Sequence, residues 1–319
     1  MMNRSQSIRC GIVLAAGDGK RLQPFIHHLR GDALPKQYVN FIGTRSMLEH
    51  TFCRAERLIP PEHLFTVASQ DHLGHSEVRR QLSSRPSDTV VVQPENKETG
   101  PGILLPLVHL CKRYPDAVVA VFPSDHFIVE EDLFMAYVDL AFRVVERDPS
   151  YLVLLGIVPN GLEPEYGYIL PGGELSNLAP LGVRKVLQFV EKPEARIAQE
   201  IVMEGGLWNT MVMVFKGKTL LELLCRVGPA LFRSFERIWE AIGTPGEVEV
   251  VEEVYRHVKP VDFSRGLMEA VALQYPSSLL VLPVRGVFWS DLGSQPRVAG
   301  VLEKIHRPGQ LGAIAETQP

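Results

Sequence analysis

Short apolar runs rich in valine and isoleucine alternate with helix-length segments through the first half of the chain, and this alternation limits its fold more than any other feature. The runs are Ile12 to Ala16, Leu64 to Ala68, Thr89 to Val92, Ala117 to Phe122 and Tyr151 to Val158. A strand points successive side chains to opposite faces, so runs apolar at every position have to be covered on both. Between them, Met47 to Ile59, His72 to Leu82, Ile103 to Arg113 and Leu133 to Val145 repeat their apolar residues at helical spacing. The expectation is an α/β fold: a mainly parallel mixed sheet with helices over both faces.

After Pro159 the pattern loosens. Tyr166 to Leu170, Val183 to Val190 and Ser278 to Val284 read as strands, and Thr219 to Ile242 as a helical region. Neither an internal repeat nor a Gly/Ser-rich linker divides the chain. It reads as one unit over 1–306, nucleotide-binding in its first half and acceptor-binding in its second, with a flexible tail over 307–319.

A net charge of −4 over 319 residues offers no broad attraction for nucleic acid. No uncharged run reaches the ~20 residues of a membrane helix, and the apolar stretch near the start is cut short at Gly17 and Asp18. Cytoplasmic location is the expectation. Cys10, Cys53, Cys111 and Cys225 are scattered without a C-x-x-C pair and read as small buried hydrophobes. His27, His28, His72 and His75 lack a third ligand or catalytic pattern, and read as solvated surface residues.

The segment Leu14-Ala15-Ala16-Gly17-Asp18-Gly19-Lys20-Arg21-Leu22-Gln23-Pro24 follows the first strand. Small residues there let backbone amides approach phosphate oxygens, at the strand end where α/β folds bind ligands. A dinucleotide fingerprint would need glycine at Leu22, and a P-loop would need glycine at Leu14 and Ser or Thr at Arg21. A tight turn explains the glycines equally well, but Arg21 and Lys36 together could neutralise a triphosphate.

With Pro35-Lys36-Gln37 behind it, this loop resembles the signature of sugar-1-phosphate nucleotidyltransferases, and the glutamine resembles their mannose-1-phosphate guanylyltransferase branch. Further segments resemble the family in the same order: Gln93 to Pro101, Phe122-Pro123-Ser124-Asp125-His126, Tyr166-Gly167-Tyr168, Phe189-Val190-Glu191-Lys192-Pro193, Trp208-Asn209 and Trp289-Ser290-Asp291-Leu292-Gly293. The likeness departs at Glu98, where the family has asparagine, and at Thr210-Met211, where it has Ser-Gly.

The resemblance implies a Rossmann-like nucleotidyltransferase fold and transfer of a nucleotidyl group to a sugar-1-phosphate, with GTP and mannose-1-phosphate as substrates and Mg²⁺ as cofactor. It implies nucleotide contacts at Ala15, Ala16, Gly17, Asp18, Gly19, Lys20, Arg21, Lys36, Glu95, Thr99, Gly100 and Asp125. Gly167, Glu191, Lys192 and Asn209 would hold the sugar phosphate, and Asp125 and Asp291 the metal. Arg21, Lys36, Asp125, Lys192 and Asp291 form the implied catalytic set. Read without the resemblance, Thr99 is an N-cap, Asp125 a turn residue and Glu191-Lys192 a surface pair. A thymidylyl- or uridylyltransferase and a non-catalytic nucleotide-sugar-binding subunit are the competing functions. With only a short stretch after Asp291, no further catalytic domain is expected, and association with other copies stays open.

Overall fold

A computed structural model describes residues 7–176 and 178–306, so the tail expected over 307–319 lies outside the described residues. Four strands build the first half: β1 (Arg9–Leu14), β2 (Leu64–Ser69), β3 (Val90–Gln93) and β4 (Val118–Pro123). All are parallel, in the order β3-β2-β1-β4. The later strands are β5 (Phe127–Ile128), β6 (Leu152–Ile157), β7 (Gly167–Glu174), β8 (Arg184–Glu191), β9 (Leu207–Lys216), β10 (Leu279–Val284) and β11 (Trp289–Ser290). Among the described residues the main sheet has nine strands, continuing from β4 as β9-β6-β10-β8-β7, while β5 and β11 form a separate ribbon.

The fully apolar runs become strands covered on both sides. In β4, Val118, Ala120 and Phe122 join one buried cluster while Val119 and Val121 join the other. The same alternation in β10 sends Leu280, Leu282 and Val284 to the first cluster and Leu279 and Val281 to the second. Helices Met47–Ala55 and Glu131–Arg147 cover the first face, and helices Thr99–Arg113, Pro229–Ala241 and Glu247–His257 the second. The Rossmann-like expectation holds, with β9 inserted antiparallel between β4 and β6.

Four local readings change. The helical region expected over Thr219 to Ile242 divides into two helices, Gly217–Val227 and Pro229–Ala241, because proline has no N–H to continue the first and disfavours helical geometry at Gly228. Thr99 is the first helical residue rather than the cap, and its hydroxyl accepts from the Phe263 N–H at 2.8 Å. Cys53 and Cys225 are exposed, since each sits on the outward side of its helix, whereas Cys10 and Cys111 are buried as expected. His72 is buried, edge-on to Tyr38 with ring centroids 5.9 Å apart, while His27 and His28 are exposed.

Candidate active site

A cleft of about 310 Å³ opens where β1 and β4 end, with Leu14 and Pro123, their last residues, in its wall. Gly17, Gly19, Arg21, Lys36, Thr99, Asp125, Gly167, Glu191, Lys192, Asn209 and Asp291 all line it. The glycine loop is fixed from behind. Gln37 Nε2 donates to the carbonyl oxygens of Ala15 and Gly17 at 2.7 and 2.9 Å, and Tyr38 Oη donates to that of Ala15 at 3.0 Å. With those carbonyls held, the amides of Gly17, Asp18 and Gly19 meet no protein acceptor among the described residues and remain available to an anion. Gly19 has φ +60, and a Cβ there would stand 3.0 Å from Cγ of Lys36, whose stem crosses the loop.

Asp125 lies two residues beyond the end of β4, and its Oδ2 pairs with the Lys36 ammonium at 2.7 Å. Burial is the largest single effect and works to raise its pKa, but the charge and hydrogen bond of Lys36, with His126 and a backbone hydrogen bond, together hold the carboxyl below its ordinary value. Asp291 follows β11. Its Oδ1 accepts from Arg297 Nη1 at 2.8 Å, from the Gly293 N–H at 2.9 Å and from Tyr166 Oη at 3.2 Å. Lys36 also donates to the Asp291 carbonyl oxygen at 3.3 Å, so one cation joins the two acidic residues. His126, ring to ring with Trp289 at 5.0 Å, is pushed down to about 4, by burial first, against the pull of Asp125 and Asp291.

The opposite wall comes from β7, β8 and β9. Gly167 is opposite Glu191 in the β7–β8 ladder, and a Cβ on it would lie 2.5 Å from Oε2 of Glu191. Glycine is required there for the approach of this carboxylate. Burial raises the Glu191 pKa, with Lys192 working against the rise, and Nζ of Lys192 lies 3.3 Å from Oε1 of Glu191. Glu269 accepts from the Glu191 N–H at 2.8 Å, which anchors the end of β8 to a segment far along the chain.

Among the described residues, Glu98, Lys192, Met211 and Leu292 are the non-glycine residues at positive φ. Lys192 and Met211 line the cleft, and the other two adjoin lining residues Thr99 and Asp291. Such conformations cost about 1 to 3 kcal/mol each and persist only where surroundings impose them.

Several candidates fall outside the lining. Ala15 and Ala16 are buried, and the Ala15 N–H is taken by the Val67 carbonyl at 2.9 Å. Lys20 is largely exposed and pairs with Asp18 at 3.4 Å. Glu95 pairs with Lys97 at 3.0 Å and faces a second groove. The Gly100 N–H donates to the Val261 carbonyl at 2.8 Å, leaving no donor for a nucleotide.

The sequence reading missed a charge network at the cleft mouth. Arg21 pairs with Glu165, Arg297 pairs with Glu165 at 3.2 Å and Glu163 at 2.7 Å, and the Arg297 guanidinium lies 4.3 Å from the Tyr166 ring centre. Burial alone would lower the Arg297 pKa, but Asp291 and Glu163 hold it raised. The signal that could have located Arg297 is Pro296 near the start of a helix just after Asp291.

Two carboxylates supply hard oxygen donors of the kind a divalent cation of the magnesium type accepts, and the Lys36 ammonium already lies against the Asp125 carboxylate and the Asp291 backbone carbonyl. Among the described residues no cluster of three or more His, Cys, Asp or Glu could hold a metal alone, so phosphate oxygens would complete such a site.

Comparison with known proteins agrees with this geometry. The chain is 30% identical over 294 residues to a mannose-1-phosphate guanylyltransferase of Escherichia coli K12, covering 91% of this chain and 59% of that protein. It is 28% identical to the xanthan biosynthesis protein XanB of Xanthomonas campestris, over 92% of this chain and 59% of that protein. The chain thus spans about 59% of the length of these curated relatives. A Thermus thermophilus structure described as a mannose-1-phosphate geranyltransferase superposes with a TM-score of 0.75 at 25% identity, covering 89% of this chain and 76% of that one. A profile of nucleotidyl transferases matches residues 10–306, and the chain belongs to that family.

Proposed function

We propose that the chain catalyses GTP + mannose-1-phosphate → GDP-mannose + pyrophosphate, with Mg²⁺ as cofactor and in the cytoplasm. The observation that carries this reading is the gathering of Arg21 and Lys36, from the glycine-loop wall, and Glu191, Lys192 and Asn209, from the opposite wall, around one cleft that also holds Asp125 and Asp291. The similarity to guanylyltransferases supports the choice of guanosine and mannose.

The acceptor phosphate is already anionic, so the reaction needs alignment and charge neutralisation rather than a general base. The free amides of Gly17 to Gly19 and the cations Arg21 and Lys36 bind the triphosphate. Lys192 orients the acceptor phosphate, while Glu191 and Asn209 bind sugar hydroxyls. Mg²⁺ held by Asp125 and Asp291 would neutralise charge on the phosphates. Glu95 and Gly100, which the cleft does not include, act as support for the nucleotide-side loop rather than as contacts.

The test is pyrophosphate release measured across several nucleoside triphosphates and several sugar-1-phosphates. GTP with mannose-1-phosphate is expected to give the highest kcat/KM. At least tenfold better use of dTTP with glucose-1-phosphate would overturn the assignment.

A further inference from the structure

β9 leaves its ladder with β6 at one place beside the cleft. Leu154 faces Met213 and Gly156 faces Asn209, so Leu155 alone stands opposite Thr210, Met211 and Val212. The Thr210 hydroxyl closes the gap, donating to the Leu155 carbonyl at 2.7 Å and accepting from the Val212 N–H at 3.2 Å. A bulge of this kind re-aims a side chain, and here it turns Met211 into the cleft with φ +58. Glycine would hold that backbone without strain, so a methionine there is retained against its conformational preference.

Both ends of the residue are fixed. Ser264 Oγ donates to the thioether at 2.9 Å, and the Met211 N–H donates to Oδ1 of Asn209 at 3.1 Å. The second contact engages the amide oxygen of Asn209 and leaves its Nδ2 donors for a ligand. On the far side of Asn209, the missing side chain of Gly167 leaves the room that Asn209 takes, since a Cβ there would stand 3.3 Å from that of Asn209.

We propose, resting on the acceptor reading given above, that Met211 limits the size of the acceptor sugar. It closes the pocket around a hexose 1-phosphate bearing free hydroxyls and rejects one bearing an acetamido group. A methionine side chain has as many non-hydrogen atoms as an acetamido substituent, so pruning one makes room for the other.

The experiment compares kcat/KM for mannose-1-phosphate and for its 2-acetamido analogue in the wild type, Met211→Gly, Met211→Ala and Met211→Leu, with GTP saturation and thermal melting measured in parallel. Met211→Gly is expected to shift the ratio toward the acetamido acceptor by at least about tenfold, with KM for GTP unchanged. Met211→Ala should fall between, and Met211→Leu should keep the wild-type ratio. An unchanged ratio in folded Met211→Gly and Met211→Ala, or an equal loss on both acceptors, overturns the proposal while leaving the acceptor reading intact. A wild type that uses neither acceptor overturns both.

Discussion

The Lys36 ammonium stands 2.7 Å from Oδ2 of Asp125, a protein cation seated on a carboxylate assigned to metal binding. The same nitrogen donates to the Asp291 carbonyl oxygen, so the lysine proposed to bind the triphosphate and both acidic residues form one unit. Charge brought by a triphosphate and its metal therefore redistributes contacts that already exist.

Asp291→Asn keeps the side-chain size and removes the ligand charge. Turnover is expected to fall at least about a hundredfold. Arg297, Tyr166 and the Gly293 N–H lose a charged acceptor, at about 1.5 to 3 kcal/mol, so the melting temperature should also drop by a few degrees. Arg297 keeps Glu163 and Glu165, which should preserve the fold. Mg²⁺-dependent turnover at the wild-type rate would remove Asp291 from the metal site.

Lys192→Gln tests the acceptor wall. The ammonium is half-exposed and its ion pair is with Glu191, so stability should change little. If it grips the acceptor phosphate, kcat/KM for the sugar-1-phosphate should fall roughly ten- to 150-fold while GTP binding, followed by titration, stays near normal. Weakened GTP binding with normal acceptor kinetics would move Lys192 to the nucleotide side.

Arg21 and Glu165 form an ion pair at the cleft mouth that a triphosphate would have to displace. Both side chains are about half-exposed, so the pair is worth at most about 1 kcal/mol. Glu165→Gln should tighten GTP binding by roughly two- to fivefold, and more so at low salt. A weaker affinity in calorimetric titration would show that Glu165 assists binding instead.

Burial lowers the pKa of His72 below its ordinary value, and Asp18 opposes the shift without overcoming it. In acid the unfolded chain then takes up a proton that the folded chain refuses. The stabilisation is present above the ordinary histidine pKa and is lost as pH falls below it, by at most about 1.4 kcal/mol per pH unit. Urea unfolding at about pH 7.5 and about pH 5.5 should show a larger loss of stability in the wild type than in His72→Gln. Equal losses would mean that His72 is solvated in the folded state.

What was legible in the sequence was local. Asp125, Glu191 and Asp291 each stand in a short motif at or just after a strand end, with Asp125 and Glu191 at ends of strands of the main sheet and Asp291 after the β11 ribbon, and the cleft collects them. β9 was not legible as a central strand, because the bulge at Thr210 to Val212 breaks its pairing with β6 beside the very residues that drew attention as a sugar motif. Gly100 turned away for a nonlocal reason, since Val261, whose carbonyl accepts from the Gly100 amide, lies far along the chain. Arg297 and Glu165 were missed because charged residues look alike in sequence until folding chooses their partners.

The central claim is that both substrates meet in this cleft and react by one direct displacement at the α-phosphorus of GTP. The most direct measurement is the configuration at that phosphorus in GDP-mannose made from mannose-1-phosphate and a single diastereomer of GTP carrying sulfur on its α-phosphate. Direct attack predicts pyrophosphate release with inversion, whereas retention of configuration, or no nucleotide-sugar product at all, would contradict it.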